Sequence, residues 1–312
     1  MKRAASVAVL LALAPARGFA ASASNGAAVL RLPMSARAAA LGGALSAVDG
    51  GLDSLGVNPA GAAAPKRPEL LTSFFTGIAD DSFGFLGYAH PLKAGTAFAG
   101  FSYYDAGTVG IVNLDGSQQT VVAERDYVGM AGWAMPLGFG LSVGALGKAY
   151  KFTLAQSASA SGFAGDAGAR WATPVKGLSL GAAVQNLGPN VKYEQSGDPL
   201  PLTARAGAAW TYETRPPEED RSVYSGTRLI LTADAVKVRE EAYTAAAGGE
   251  CAVSIGQETT VTVRLGNQFN SASDGGLSFG AGVREGRYTG DYALTSRGAN
   301  GNVQTFSLGV RF

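Results

Sequence analysis

Charged residues set on alternate positions of long, otherwise apolar strands constrain this chain more than any other feature. In residues 200–212, Leu202, Ala204, Ala206, Ala208, Trp210 and Tyr212 share one side of a period-two strand. Thr203, Arg205, Gly207 and Thr211 take the other. Phe163, Ala167, Ala169 and Trp171 likewise oppose Asp166 and Arg170. Val261, Val263 and Leu265 oppose Thr262, Arg264 and Gly266, and Leu277, Phe279, Ala281 and Val283 oppose Ser278, Gly280, Gly282 and Arg284. Each strand therefore has one face that needs an apolar environment and one that does not.

A soluble β-sandwich shows similar alternation, so three further features decide between the two. The strands run to about 9–12 residues, longer than the usual five or six and close to what a tilted strand needs to cross a bilayer. Trp133, Trp171, Trp210 and Tyr212 lie near strand ends, where an interfacial girdle places aromatics. At the C-terminus, Phe306, Leu308, Val310 and terminal Phe312 alternate with Ser307, Gly309 and Arg311. A last strand ending on an aromatic resembles the signal by which the barrel-assembly machinery recognises bacterial outer-membrane barrels. The expected fold class is all-β, a transmembrane antiparallel β-barrel in the bacterial outer membrane.

Charge then fixes the faces. A basic residue on the lipid face costs about 2–4 kcal/mol at the midplane. Arg170, Arg205, Arg264, Arg284 and Arg311 are therefore expected inside, with Lys148, Asp166, Asp234 and Asp291. Lipid is the expected partner of the other face.

The N-terminus reads as an export signal over residues 1–23. Lys2 and Arg3 precede an apolar run over 4–14, and Gly18 with Ala20, or Ala21 with Ala23, suit a cleavage site. That run is shorter than the roughly 20 residues of a spanning helix. Residues 24–66 are Ala- and Gly-rich over 36–48 and continue through Asp49-Gly50-Gly51 and Val57-Asn58-Pro59-Ala60-Gly61. They read as a short helix and a tight turn at Asn58 and Pro59, forming a plug before a barrel over 67–312. The large apolar residues of this segment are few (Leu30, Leu32, Leu41, Leu45, Leu52 and Leu55), so no apolar cluster is expected within it.

Short connections at 91–95, 136–138, 173–177 and 284–286 alternate with mostly longer ones at 106–124, 155–161 and 188–199. That rhythm suits periplasmic turns and external loops and gives about fourteen strands. The charged, proline-containing stretch 214–225 falls on the short-turn side against the rhythm.

Composition excludes several functions. Charged residues are 16%, below the roughly 25% of soluble domains. The 44 glycines among 312 residues suit strands that must bend to close. Net charge is +1, which gives no nucleic-acid footprint. Cys251 is alone, so no disulfide forms within the chain, and His90 has no partner at metal-ligand spacing. With no nucleophile paired to a base, no carboxylate pair read on one local element and no phosphate loop, neither an enzyme nor a cofactor is expected.

The chain resembles the PorV/PorQ family of outer-membrane proteins within the broader FadL-like barrels. The resemblance rests on Ala40-Leu41-Gly42-Gly43-Ala44, Asn58-Pro59-Ala60-Gly61, Val184-Gln185-Asn186-Leu187-Gly188, Val263-Arg264-Leu265-Gly266 and Asp291-Tyr292-Ala293, in the family's order. It implies a fourteen-stranded barrel with the N-terminal segment as a plug. It also implies transport or protein export: FadL-like members pass hydrophobic solutes through a lateral opening, and some PorV-type members serve a type IX secretion machine. Hydrophobic solutes or secretion-system components would be the partners. A barrel that transports nothing and anchors a periplasmic or surface partner is the remaining alternative.

Overall fold

A computed structural model describes residues 27–63, 65, 67–77, 81–112, 117–155, 158–193, 197–214, 224–269, 276–296 and 301–312. The proposed signal peptide and most of the 214–225 loop lie outside these residues.

Among the described residues, eighteen strands follow a short N-terminal segment. They are β1 (Glu69–Thr76), β2 (Ser82–Leu92), β3 (Gly95–Asp105), β4 (Thr108–Val112), β5 (Gln118–Val122) and β6 (Glu124–Gly138). Next come β7 (Leu141–Leu154), β8 (Ala158–Ala172), β9 (Leu178–Leu187), β10 (Val191–Lys192), β11 (Gly197–Asp198) and β12 (Thr203–Thr214). The last are β13 (Tyr224–Val238), β14 (Tyr243–Ile255), β15 (Thr259–Phe269), β16 (Leu277–Glu285), β17 (Tyr288–Ser296) and β18 (Asn302–Arg311).

Fourteen of these form one closed antiparallel barrel. β4–β5 and β10–β11 are separate two-stranded hairpins. Closure joins β1 to β18 in register from Glu69 opposite Arg311 to Thr76 opposite Gln304. No strand edge of β1 or β18 is left over that length, which is what a hydrocarbon environment requires of a sheet.

The chain enters and leaves at one end, where the Phe312 amide donates to the Pro68 carbonyl at 3.0 Å. We call this the near end. The near-end turns after β2, β6 and β16 are two residues each. The connection expected over 155–161 is shorter than its sequence suggests, because β8 already begins at Ala158 and pairs there with Leu154. Its Ala- and Ser-rich composition hides a strand that carries little apolar signal.

The outer face is apolar over its whole circumference: Phe74, Leu86, Phe101, Trp210, Leu231, Val263, Phe279, Phe306 and Leu308 are all exposed there. Trp171 and Trp210 sit on the near-end half, and the Trp171 indole donates to the Phe139 carbonyl at 3.2 Å.

Residues 27–63 run down the lumen. The segment holds 3-10 turns at Ala28–Arg31, Gly51–Ser54 and Pro59–Ala62, and one helical turn, α1 (Ala36–Ala40), capped by the Ser35 side chain. Arg31 pairs with Glu241 at the far end (2.5 Å), whereas the Ala63 carbonyl accepts from Thr96 at the near end. Inward-facing wall glycines let this backbone lie directly on the sheet. A Cβ on Gly181 would overlap the Ser46 carbonyl, and one on Gly266 would overlap the backbone at Leu41 and Gly42.

Seating of this kind has a measurable cost when filled. Gly181→Val and Gly266→Val are expected to destabilise by about 1–3 kcal/mol or more, because backbone cannot step aside as a side chain can. Gly129→Ala, with open space around its Cβ, is the control. The temperature of the heat-dependent gel shift in detergent measures this. Equal temperatures for all three would show that the segment is not packed on the wall.

Candidate functional site

The lumen is divided lengthwise into an apolar and a polar half. On β1, β2, β3, β6 and β7 the inward side chains include Phe75, Phe83, Phe85, Phe98, Val128, Met130 and Leu146. These pack with Leu30, Met34, Leu52 and Leu55 of the N-terminal segment in one buried cluster. The expectation of no apolar cluster is corrected here: the segment's few leucines pool with phenylalanines of the wall. Val191 and Leu200, from the loop that carries β10 and β11, are buried in the same cluster and cover its far end.

The opposite half is a network of charge. The Arg37 guanidinium donates to both Glu250 carboxylate oxygens, at 2.8 and 3.0 Å, and lies 3.7 Å from Asp53. Arg264 donates to the same Glu250 at 2.7 Å and to Asp291 at 2.6 Å. Burial alone would lower the Arg37 pKa, but Glu250 and Asp53 outweigh it and hold the guanidinium above its ordinary value. One carboxylate thus ties the plug to β14 and β15 through two arginines.

The other charged positions make separate attachments. Lys148 and Asp166 form an ion pair at 2.7 Å with both side chains fully buried. Lys148 also donates to the Asn186 side chain at 2.8 Å, and the Asn186 amide donates to Asp166 at 2.8 Å. Arg170 donates to the Ala47 carbonyl at 2.8 Å. Arg205 donates to Gln185 at 2.8 Å and to the Gly43 carbonyl at 3.4 Å. Asp234 accepts from both the amide and the hydroxyl of Ser46. Arg311 pairs with Glu69 at 2.7 Å at the near end, with Arg311 partly exposed. Arg284 is half-buried, and its Nε has no hydrogen-bond partner among the described residues.

Asn58 works as both cap and anchor. Its side-chain oxygen accepts from the Ala60 amide, starting the Pro59–Ala62 turn, and its amide donates to the carbonyls of Ser46 (2.7 Å) and Ala169 (3.0 Å). Pro59 suits the first position of that turn, where no amide is needed. Phe306 and Leu308 point outward from β18, and Phe312 is exposed at its end.

Arg37, Asp53, Glu69 and Glu250 belong to this machinery and were not singled out by sequence reasoning. Glu250 follows Ala246 and Gly248 on the inward side of β14, so alternation could have placed it. Nothing in the Ala-rich run around Arg37 marks that residue. Among the described residues no group of His, Cys, Asp and Glu could hold a metal ion.

The wall itself is irregular beside Asn186. The β8–β9 register shifts between Gly165 and Ala167, and Asn186 takes a left-handed backbone (φ 59°). Pairing with β9 stops at Gly165, whereas β8 continues to Ala158. Among the described residues no barrel strand pairs with the far half of that edge of β8; β10 and the backbone at Gly188 lie beside it instead.

No protein-family profile matches the chain, and no curated protein matches it in sequence. Solved structures do. The CymD monoaromatic hydrocarbon channel is 12% identical with a TM-score of 0.56, covering 90% of this chain and 98% of that one. The toluene transporter TodX of Pseudomonas putida is 13% identical with a TM-score of 0.56, covering 89% and 98%. The toluene transporter TbuX of Ralstonia pickettii is 13% identical with a TM-score of 0.51, over the same shares. At these identities the likeness is one of fold.

The attachments should differ in strength. Glu250→Ala removes the partner shared by two buried guanidinium groups, leaving Arg37 only Asp53 at 3.7 Å, and is expected to cost about 3–5 kcal/mol. Lys148→Ala, which strands Asp166, belongs in the same range. Arg311→Ala at a partly exposed pair should cost about 0–1 kcal/mol. Urea unfolding in detergent micelles ranks the three, and an Arg311→Ala loss equal to that of Glu250→Ala would contradict the assignment.

Proposed function

We propose that this chain is an outer-membrane channel for hydrophobic solutes. The observation that carries the reading is the apolar half of the lumen. A general porin needs a wet, polar bore, whereas here phenylalanines of β1, β2 and β3 meet leucines of the plug with no charge between them. The unpaired far half of β8 supports a sideways exit into the outer leaflet, in keeping with the lateral openings of FadL-like barrels. The fold shared with hydrocarbon channels supports the same reading.

On this reading the near end faces the periplasm, and the 215–223 connection joins β12 to β13 on that side. Arg170, Arg205 and Asp234 hold the plug directly, with Asn58 and Pro59 as its turn; Arg264 and Asp291 back the Glu250 that binds Arg37, and Lys148, Asp166, Arg284 and Arg311 line the lumen wall. Phe306, Leu308, Val310 and Phe312 serve as the signal read by the barrel-assembly machinery.

A second reading is protein export of the PorV/PorQ kind, favoured by the ordered motifs from Ala40 to Asp291. The two readings separate in cells lacking their own hydrophobic-solute channels. Expression is expected to raise uptake of radiolabelled ethylbenzene several-fold, while planar bilayers holding the purified barrel stay near baseline conductance. No gain in uptake, together with co-purification of secretion components, would replace the channel reading with the export one.

A further inference from the structure

One row of side chains crosses the apolar half at its far end. Phe75 pairs with Phe83, Phe83 with Tyr104, Tyr104 with Asp126, and Asp126 with Phe152, each across neighbouring strands from β1 to β7. The Phe75 and Phe83 rings stack at 5.2 Å, and Phe152 stacks on Tyr150 at 4.4 Å. Asp126 is thus a single carboxylate in an aromatic row.

Its situation is unlike that of any other acid in the lumen. Asp126 is completely buried and forms no ion pair among the described residues; the groups nearest its carboxyl are a second acid, Glu124, and the Thr153 backbone. The charged neighbour that acts on it is Glu124, a second acid two residues earlier on the same face. Glu250, Asp166, Asp291 and Glu69 all have a basic partner within 2.8 Å. Tyr193, half-buried beyond β10, senses this site: burial raises its pKa above the ordinary value, and the charges of Asp126 and Glu124 add to the shift.

An unpaired carboxylate in a dry environment is costly unless something neutralises it. Where ionisable groups persist at such places in membrane proteins, they mark a ligand or ion path. Aromatic faces attract cations as well as apolar bodies.

We propose that the Asp126 row is a binding site for solutes that join an ammonium group to an apolar, ring-sized body. The ammonium takes the Asp126 carboxylate, and the body lies against Phe83 and Phe152 in place of the Tyr193 side chain. This deepens the channel reading and rests on it. The site sorts solutes by charge, favouring amines over neutral hydrocarbons and opposing fatty acids, whose carboxyl group would place a third acid beside Asp126 and Glu124.

Equilibrium dialysis of the full mature chain in detergent tests this with three probes of similar size: 2-phenylethylamine, ethylbenzene and 3-phenylpropionate. The amine is expected to bind tightest. Asp126→Asn should weaken the amine at least about tenfold, the effect of one lost charge-assisted contact, and leave ethylbenzene unchanged. Phe152→Leu should weaken both. Because Asp126→Asn removes a buried acid that has no basic partner, its gel-shift temperature should equal or exceed that of the unaltered chain. Equal binding of all three probes, an amine affinity untouched by Asp126→Asn, or a drop in its gel-shift temperature would each overturn the site. Ethylbenzene uptake in cells reports separately on the channel: if it fails while the amine still binds through Asp126, the channel reading falls and the site stands.

Discussion

An irregular backbone inside a membrane barrel must find a partner for every amide and carbonyl that water cannot reach. Residues 27–63 meet this demand partly through their own short turns and partly by borrowing from the wall. Ser307 accepts from the Ala36 amide, Gln268 and Arg205 donate to the carbonyls of Gly42 and Gly43, Ser179 donates to the Ala47 carbonyl, and Gln185 donates to the Gly56 carbonyl. The inward face of the barrel is therefore a template for one particular backbone path. Polar wall side chains stand where the plug has unsatisfied groups, and glycine stands where the plug backbone touches.

That template explains why the charges are paired as they are. Buried ion pairs seldom add stability beyond what apolar packing would give, but stripping one partner is costly. Arg37 enters the lumen with the plug, so Glu250 has its second guanidinium only when the plug is in place. Removing the plug would leave Glu250 with one guanidinium in place of two. Registration of the segment, more than net stability, is what such a network supplies.

Much of the fold was legible in the sequence because a barrel wall repeats one simple rule. Arg264 and Arg205 could be read as inward because their neighbours in a strand, Val263, Leu265, Ala204 and Ala206, leave no other face for the apolar side. The closed barrel and its strand number followed from the same rule and from the rhythm of the turns. Legibility failed where the rule is silent. Around Ala158 the alternation is between Ala and Ser, so the start of β8 was not visible. Arg37 lies in an irregular segment without a period, and its partnership with Glu250 spans 213 residues. The apolar half of the lumen was missed for a related reason. Phe83, Phe85 and Phe98 are spread over two strands and meet Leu52 and Leu55 only once the sheet has closed.

The two halves of the lumen also differ in what it takes to part them. Along β8 and β12–β14 the plug is held by charge-assisted hydrogen bonds, and separating it would expose unpaired guanidinium and carboxylate groups in a dry space. Along β1–β3 it is held by dispersion and burial, which an apolar solute can replace contact for contact as it advances. A hydrophobic molecule moving between Phe85 and Leu52 exchanges one apolar neighbour for another, whereas an ion there would lose its hydration and gain nothing. On the channel reading, the clamp on one side is what lets the other side yield: the plug keeps its register through Arg37 and Asn58 while its leucine face gives way. Selectivity against water and ions then needs no moving gate, because the path exists only while something apolar fills it.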